Sequence, residues 1–191
     1  MPSGLGDVVG LTAGSLHTCS VNEQGQVKCW GENTCNQLPP WFYCISAIGV
    51  PGDLGKVVQL ASGDYHTCSL DEGGEVICWG YNSDGQTVPP TDLGRAISLT
   101  SGRFHSCAIN VGYIVKCWGD DQYGQADAPR GLGRPIQVVA GRRHSCAVNV
   151  SGKVTCWGDN GHGQITVPKG LGKIVQLAAG NLHTCAVDDS G

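Results

Sequence analysis

Long apolar runs, helix-forming stretches and concentrated charge are what this chain of 191 residues has least of. Charged residues make up 15% and aromatics 6%, with a single methionine and two phenylalanines. No apolar window reaches the roughly 18 residues that a membrane-spanning helix needs. Lys and Arg total 12 against 16 Asp and Glu, a net charge of −4, and the basic residues are scattered. That excludes a surface built to track a phosphate backbone, so no nucleic-acid partner is expected. The opening stretch Met1 to Gly10 has neither a basic start nor an apolar centre, and no secretory leader is read there. No nucleophile elbow, phosphate loop or catalytic carboxylate pair stands out. Acidic residues fall in turn contexts such as Asp71-Glu72 and Asp188-Asp189, where capping and solvation are their usual roles. The expectation is a non-enzymatic chain with no cofactor.

What is abundant is glycine and cysteine. Glycine occurs 30 times in 191 residues, roughly twice its ordinary share of about 7%. Much of it marks one repeated pattern. Gly14-Ser15-Leu16-His17-Thr18-Cys19 returns as Gly63-Asp64-Tyr65-His66-Thr67-Cys68 and as Gly102-Arg103-Phe104-His105-Ser106-Cys107. It returns again as Gly141-Arg142-Arg143-His144-Ser145-Cys146 and Gly180-Asn181-Leu182-His183-Thr184-Cys185. The spacings are 49, 39, 39 and 39. Ten residues after each of the first four cysteines stands another, Cys29, Cys78, Cys117 or Cys156, each followed by Trp-Gly and then by Asn-Gln or Gly-Gln. Self-similarity at this period is the mark of a repeat architecture.

One unit reads as four short strands, such as Lys173 to Ala178, His144 to Val148, Lys153 to Trp157 and the segment after Gly163-Gln164. Asn149-Val150-Ser151-Gly152 is a hairpin turn between the second and third. Prolines punctuate the joins between units. Four-strand units of this length point to blades of an all-β propeller. The units are 1–49 with an insertion near 38–49, then 50–88, 89–127, 128–166 and an incomplete 167–191.

The combined pattern G-x-x-H-[TS]-C-[AS]-[VIL], then V-x-C-W-G-x-[ND]-x-x-[GN]-Q, resembles the regulator-of-chromosome-condensation repeat family over nearly the whole chain. The resemblance implies a propeller, typically of seven blades, and leaves function open because propellers host many. Seven units of this length need about 270 residues. The expectation is therefore a partial ring of about four and a half blades. The family's namesake is an exchange factor for a small GTPase, and propeller-type enzyme inhibitors resemble the family too. The ultraviolet-sensing members carry a tryptophan where this chain has Arg142, so light sensing does not carry over.

Eleven cysteines are present. Side chains on a strand alternate between faces, so if Val148 opposes Val154, Cys146 opposes Cys156. Directly opposed residues lie close enough for a disulfide. Cys19–Cys29, Cys68–Cys78, Cys107–Cys117 and Cys146–Cys156 are four candidate bonds, each contributing about 3 kcal/mol. Cys35 and Cys44 form a fifth candidate pair, which leaves Cys185 over. Such bonds place the protein outside the cell or in an organelle lumen. Two alternatives stay open: buried thiols, and a metal site from His17, Cys19 and Cys29. The repeated histidine is read as structural, bonding to backbone between blades.

Positions that differ between copies are free to carry specificity. The two residues before each histidine vary most, including Tyr65, Arg103, Phe104, Arg142 and Arg143. The loops after Trp-Gly vary as well, and an antiparallel blade places both sets at one end. Tyr, Phe and Arg are the types enriched at binding hot spots; ordinary loop drift is the alternative. The insertion adds Trp41-Phe42-Tyr43, an apolar knob that either anchors a partner or folds back on a blade. The function expected is a protein-interaction or scaffold module. The alternatives are an inhibitor of an extracellular enzyme or a nucleotide exchange factor.

Overall fold

The computed structural model describes residues 6–31 and 48–191. Its strands form five antiparallel meanders in chain order. The first sheet is β1 Val8–Ala13, β2 His17–Asn22 and β3 Val27–Gly31. The second is β4 Val57–Ser62, β5 His66–Asp71 and β6 Val76–Gly80. The third is β7 Ala96–Ser101, β8 His105–Asn110 and β9 Val115–Gly119. The fourth is β10 Pro135–Ala140, β11 His144–Asn149 and β12 Val154–Gly158. The last has two strands, β13 Ile174–Ala179 and β14 Thr184–Asp188.

Among the described residues no sheet has the expected four strands: four have three and the last has two. After each Gly-Gln the backbone spends its hydrogen bonds locally. The amide of Thr87 donates to Asn82 Oδ1 at 3.0 Å, that of Val88 to the Gly85 carbonyl at 3.0 Å, and that of Leu93 to the Pro90 carbonyl at 3.0 Å. Pro89 and Pro90 have no amide hydrogen to offer a neighbouring strand. A segment of turns therefore crosses where a fourth strand was expected.

Register within each hairpin follows the cysteine spacing. Val148 pairs with Val154 and Cys146 with Cys156, and the other three complete sheets repeat this alignment. Between first and second strands each sheet carries one irregularity, as between Val57 and Gln59. The extra residue is β-branched and apolar in all five sheets, and it is exposed: Val9, Val58, Ile97, Ile136 and Val175. A bulge turns a side chain out of the alternation that buries its neighbours.

The sheets stand side by side as blades, first strand against first strand: β4 against β1, β7 against β4, β10 against β7 and β13 against β10. The core lies between blades rather than inside one. Trp118 packs with Ala61 and Leu70 of the blade before it and with Leu99 of its own. Trp157 does the same with Ile109, Val115 and Val138, and Trp79 with Val21, Leu54 and Val57. Two of these indoles also donate to the Gly-Gln segment of the preceding blade: Trp118 Nε1 to the Gln86 carbonyl and Trp157 Nε1 to the Gln125 carbonyl, both at 2.9 Å. A second bond set ties inner strands together. The Gln59 amide donates to the Leu99 carbonyl at 2.8 Å and accepts from the Leu99 amide at 3.1 Å. Gln137 and Leu177 repeat the pairing two intervals on. Ser98, too short for that reach, takes the equivalent place in the third blade.

The glycine that opens each G-x-x-H motif is where blades approach most closely. A Cβ on Gly102 would stand 2.3 Å from the Gly141 carbonyl oxygen of the next blade and 2.4 Å from Cε1 of His105. Only glycine fits there, and Gly14, Gly63 and Gly141 meet the same obstruction.

Candidate functional site

The motif histidines are inter-blade struts, and their partner differs from the expected backbone. His17 Nε2 lies 2.8 Å from Thr67 Oγ1, His66 Nε2 2.8 Å from Ser106 Oγ, His105 Nε2 2.8 Å from Ser145 Oγ and His144 Nε2 2.9 Å from Thr184 Oγ1. Each hydroxyl is the residue that follows the next blade's own histidine. The proton positions follow from the hydroxyls. Ser145 Oγ donates to the Gln125 carbonyl at 3.0 Å, and Thr184 Oγ1 to the Gln164 carbonyl at 3.0 Å. A hydroxyl has one proton to give, so it accepts from the histidine, which carries its hydrogen on Nε2. The Nδ1 atoms of His66, His105 and His144 are buried without a partner, as fits an unprotonated nitrogen. Burial pushes the pKa of His105 down to about 3, with His144 adding to the effect. Burial, then His105 and His17, push His66 down to about 3 as well. These rings are locked neutral and enclosed, which suits bracing and not proton transfer to a substrate.

The cysteines act within blades. Cys19–Cys29, Cys68–Cys78, Cys107–Cys117 and Cys146–Cys156 are disulfide-bonded, with Cα atoms 4.0 to 4.1 Å apart. Thiolates are consequently not available for the metal site considered for His17, Cys19 and Cys29. Cys185 is a free, exposed thiol. Cys35, Cys44, Trp41, Phe42 and Tyr43 lie outside the described residues.

The variable loops do meet at one end of the blades. The chain turns back after Trp-Gly through glycines at positive φ, such as Gly80 at 104°. A Cβ there would stand 2.6 Å from the Tyr65 carbonyl, so glycine is required on both counts. The next amide closes the contact: Tyr81 N donates to the Tyr65 carbonyl at 2.9 Å, Asp120 N to that of Phe104 at 2.8 Å and Asp159 N to that of Arg143 at 2.8 Å.

On this frame Tyr65 and Phe104 stack across two blades, with ring centroids 6.0 Å apart at 22°. Tyr81 meets Tyr65 edge-on at 6.3 Å and Phe104 at 5.9 Å. Arg103 lies over the Phe104 ring, Cζ 4.7 Å from its centroid, and pairs through Nε with Asp64 Oδ2 at 3.3 Å. Arg143 lies 4.5 Å over Tyr123 and donates to its hydroxyl at 2.9 Å. All of these rings remain partly open to solvent. Half-exposed aromatics held by one another and by arginine have little side-chain entropy left to lose. Beside them a polar funnel of about 280 Å³ is lined by residues 13–15, 62–64, 101–103, 140–142 and 179–181, one triplet from each blade. Arg142 stands in its wall with Arg103, Asp64 and Asn181.

Tyr81 and Tyr123 belong to loops whose variability the sequence displays, but their ring contacts needed the register. A second feature has a plainer signal. Tyr113 sits at φ 59° in a hairpin turn where other copies have glycine, and its ring lies under the Arg134 guanidinium, 4.0 Å from Cζ. Asn149 is engaged in its turn: Nδ2 donates to the Leu132 carbonyl at 3.1 Å and Oδ1 accepts from Ser151 and Lys153.

Bladed repeats, inter-blade indoles and histidine struts define an all-β repeat protein with antiparallel sheets. The regulator of chromosome condensation (RCC1) repeat matches residues 8–37, 57–86 and 136–164, so the chain carries repeats of this type. The ectodomain of the receptor kinase CR4 from Physcomitrella patens is similar at 31% identity and TM-score 0.76, covering 95% of this chain and 49% of that one. The CRINKLY WD40 ectodomain of the Arabidopsis thaliana receptor kinase ACR4 shares 25% identity at TM-score 0.71, covering 99% and 62%. Prp20p from Saccharomyces cerevisiae shares the fold at 22% identity and TM-score 0.80, covering 96% and 56%. The chain thus spans between 49% and 62% of the length of these proteins. Among curated proteins none matches it by sequence.

Proposed function

We propose that this chain is a non-catalytic, protein-binding part of a propeller that works in an oxidising compartment, outside the cell or in a lumen. Its contact face is the loop end carrying Tyr65, Tyr81, Phe104, Arg103, Arg142 and Arg143. The observation that carries this reading is the three-ring cluster across two blades, with Arg103 over its edge. The repeat holds its own residues for bracing and leaves these positions free. Four disulfides support the compartment, and so does the likeness to a receptor-kinase ectodomain. A full ring would have seven blades, and Trp41 to Tyr43 would add a second contact. Prp20p binds Gsp1p and histones; a role of that kind fits less well here, because disulfides are rare in cytosolic and nuclear proteins. Inhibition of an extracellular enzyme would use the same face.

The test is capture of partners by the immobilised chain from extracellular or lumenal extracts. A Tyr65→Ser/Phe104→Ser variant should keep its cooperative unfolding and lose the captured partner. A variant that folds and captures the same partner with equal affinity would sink the loop-face reading.

A further inference from the structure

The joint between the third and fourth blades departs from the repeat in three ways. At the other joints the residue that opens a blade donates its amide to a turn glycine of the blade before: Val57 N to the Gly25 carbonyl at 3.3 Å, Ala96 N to Gly74 at 2.8 Å and Ile174 N to Gly152 at 3.3 Å. The fourth blade opens on Pro135, which has no amide hydrogen. The turn glycine is replaced as well, by Tyr113 at φ 59°. A Cβ on Gly152 would stand 2.5 Å from Lys173 Cγ, and one on Gly74 2.9 Å from Arg95 Cβ. A bulky residue in the left-handed region is strained, and such strain collects at binding sites.

The third departure is in charge. Glu72 N donates to the Lys56 carbonyl, Val111 N to that of Arg95, Val150 N to that of Arg134 and Asp189 N to that of Lys173, at 2.8 to 3.0 Å, so these pairs are equivalent. In the second blade the side chains also meet, with Lys56 Nζ 3.3 Å from Glu72 Oε2. The third and fourth blades keep the cation but replace the carboxylate with valine, Val111 at 57% and Val150 at 50% exposure. Arg130 and Arg134 are exposed and form no ion pair among the described residues. Beside them lies a pocket of about 300 Å³. Tyr113, Ile114, Val115, Pro129 and Leu132 give it apolar walls, and Arg130 joins its lining. Arg134 lies over the Tyr113 ring and donates to its hydroxyl.

We infer that this pocket docks a segment of a partner protein in which a large apolar side chain is flanked by Asp or Glu. The apolar side chain fills the pocket against Tyr113. The carboxylates give Arg130 and Arg134 the counter-charge that Glu72 gives Lys56, through the paired hydrogen bonds that a guanidinium offers a carboxylate. The antiparallel meander puts this surface at the end of the blades opposite the loops of Tyr65 and Phe104. Any further blade would add beyond the first or the fifth sheet and meet neither side of this joint. Residues 1–5 and 32–47 hold a single carboxylate, Glu32, and do not supply the segment. An anionic bilayer is the weaker match. A wide surface meets the net charge of −4, whereas a short segment feels only charges within about 10 Å.

The probe is a phage-displayed library of short random peptides, panned on the 191-residue chain and counter-selected on an Arg130→Gln/Arg134→Gln variant. Enriched sequences should share an apolar residue flanked by Asp or Glu. The corresponding synthetic peptide should bind the variant at least about 10-fold more weakly. Val150→Glu, which restores beside Arg134 the pairing of the second blade, should weaken binding about 3-fold without loss of folding. Tyr65→Ser/Phe104→Ser should leave it unchanged, which separates this surface from the loop face. Enriched peptides that lack carboxylates, or that bind the arginine variant and Val150→Glu as well as the parent chain, would overturn the inference. So would arginine-dependent sedimentation with vesicles of equal parts phosphatidylcholine and phosphatidylserine when no such peptide is enriched, since that assigns the surface to a membrane.

Discussion

Acid should loosen this protein through its histidine struts, well above the pH at which carboxylates titrate. His66 and His105 are held near a pKa of about 3 by burial, whereas an unfolded chain binds a proton on each near the ordinary histidine value of about 6.5. For a depressed histidine the sign is fixed. Above 6.5 neither state is protonated and the contribution to pH dependence vanishes. Between 6.5 and about 3 the unfolded state binds protons that the folded state refuses, so stability falls as pH falls. From pH 7.5 to 5.0 the linkage relation gives about 2 kcal/mol for each ring, or about 4 kcal/mol for the two. That is a large share of a typical stability of about 5–15 kcal/mol. The assay is urea unfolding followed by tryptophan fluorescence across this range under non-reducing conditions. A His105→Gln variant removes one titrating ring and should lose its share, about 2 kcal/mol between pH 7.5 and 5.0, whatever its absolute stability. A flat profile between pH 7.5 and 5.5, or a variant that keeps the whole slope, would refute the neutral-strut reasoning.

Ser145→Ala strands the Nε2 hydrogen of His105 in a buried site and removes one bond to the Gln125 carbonyl; the expected cost is about 2–3 kcal/mol in urea titration. Ser145→Thr, which restores the hydroxyl found at Thr67 and Thr184, should cost under about 1 kcal/mol. Replacing Cys107 and Cys117 together by alanine opens a ten-residue closure and should lower stability by about 3 kcal/mol, read as a lower midpoint in the same titration. Gly102→Ala drives a methyl to within 2.3 Å of the Gly141 carbonyl; loss of soluble expression or a fall of more than about 2 kcal/mol is expected, and a neutral result would show that the blades can separate there.

The hairpin register was legible because two cysteines ten apart, with alternation of period two, admit few alignments, and Cys146 does face Cys156. The convergence of the loops at one end was legible from the same antiparallel logic. The fourth strand was misread, because Thr87-Val88-Pro89-Pro90 has β-forming residues while its hydrogen bonds go to Asn82 and Gly85. Side-chain capping of this kind competes with a ladder and leaves little trace in composition. The histidine partner was missed for a different reason. It lies 40 residues away for His105, on a neighbour that becomes adjacent only when blades stack. The signal was nevertheless present in the motif, where a hydroxyl residue follows every histidine: Thr18, Thr67, Ser106, Ser145 and Thr184.

That pairing of histidine with a following hydroxyl explains why variation between copies is confined largely to two positions of a six-residue motif. In Gly102-Arg103-Phe104-His105-Ser106-Cys107, glycine admits the next blade's carbonyl, histidine reaches forward to Ser145, and serine receives His66 from behind. Cysteine fastens the hairpin through Cys117. Four residues are thus committed to contacts that every blade must reproduce, and changing any of them disturbs an interface and not merely a side chain. Arg103 and Phe104 carry no such duty. They follow the glycine at which neighbouring blades meet, so their backbone is fixed by contacts the other blades repeat, while the contacts of their side chains are particular to this blade. A binding face built there gains rigid placement from the repeat and can change its chemistry, from Ser15-Leu16 to Asp64-Tyr65 to Arg142-Arg143, without cost to the fold.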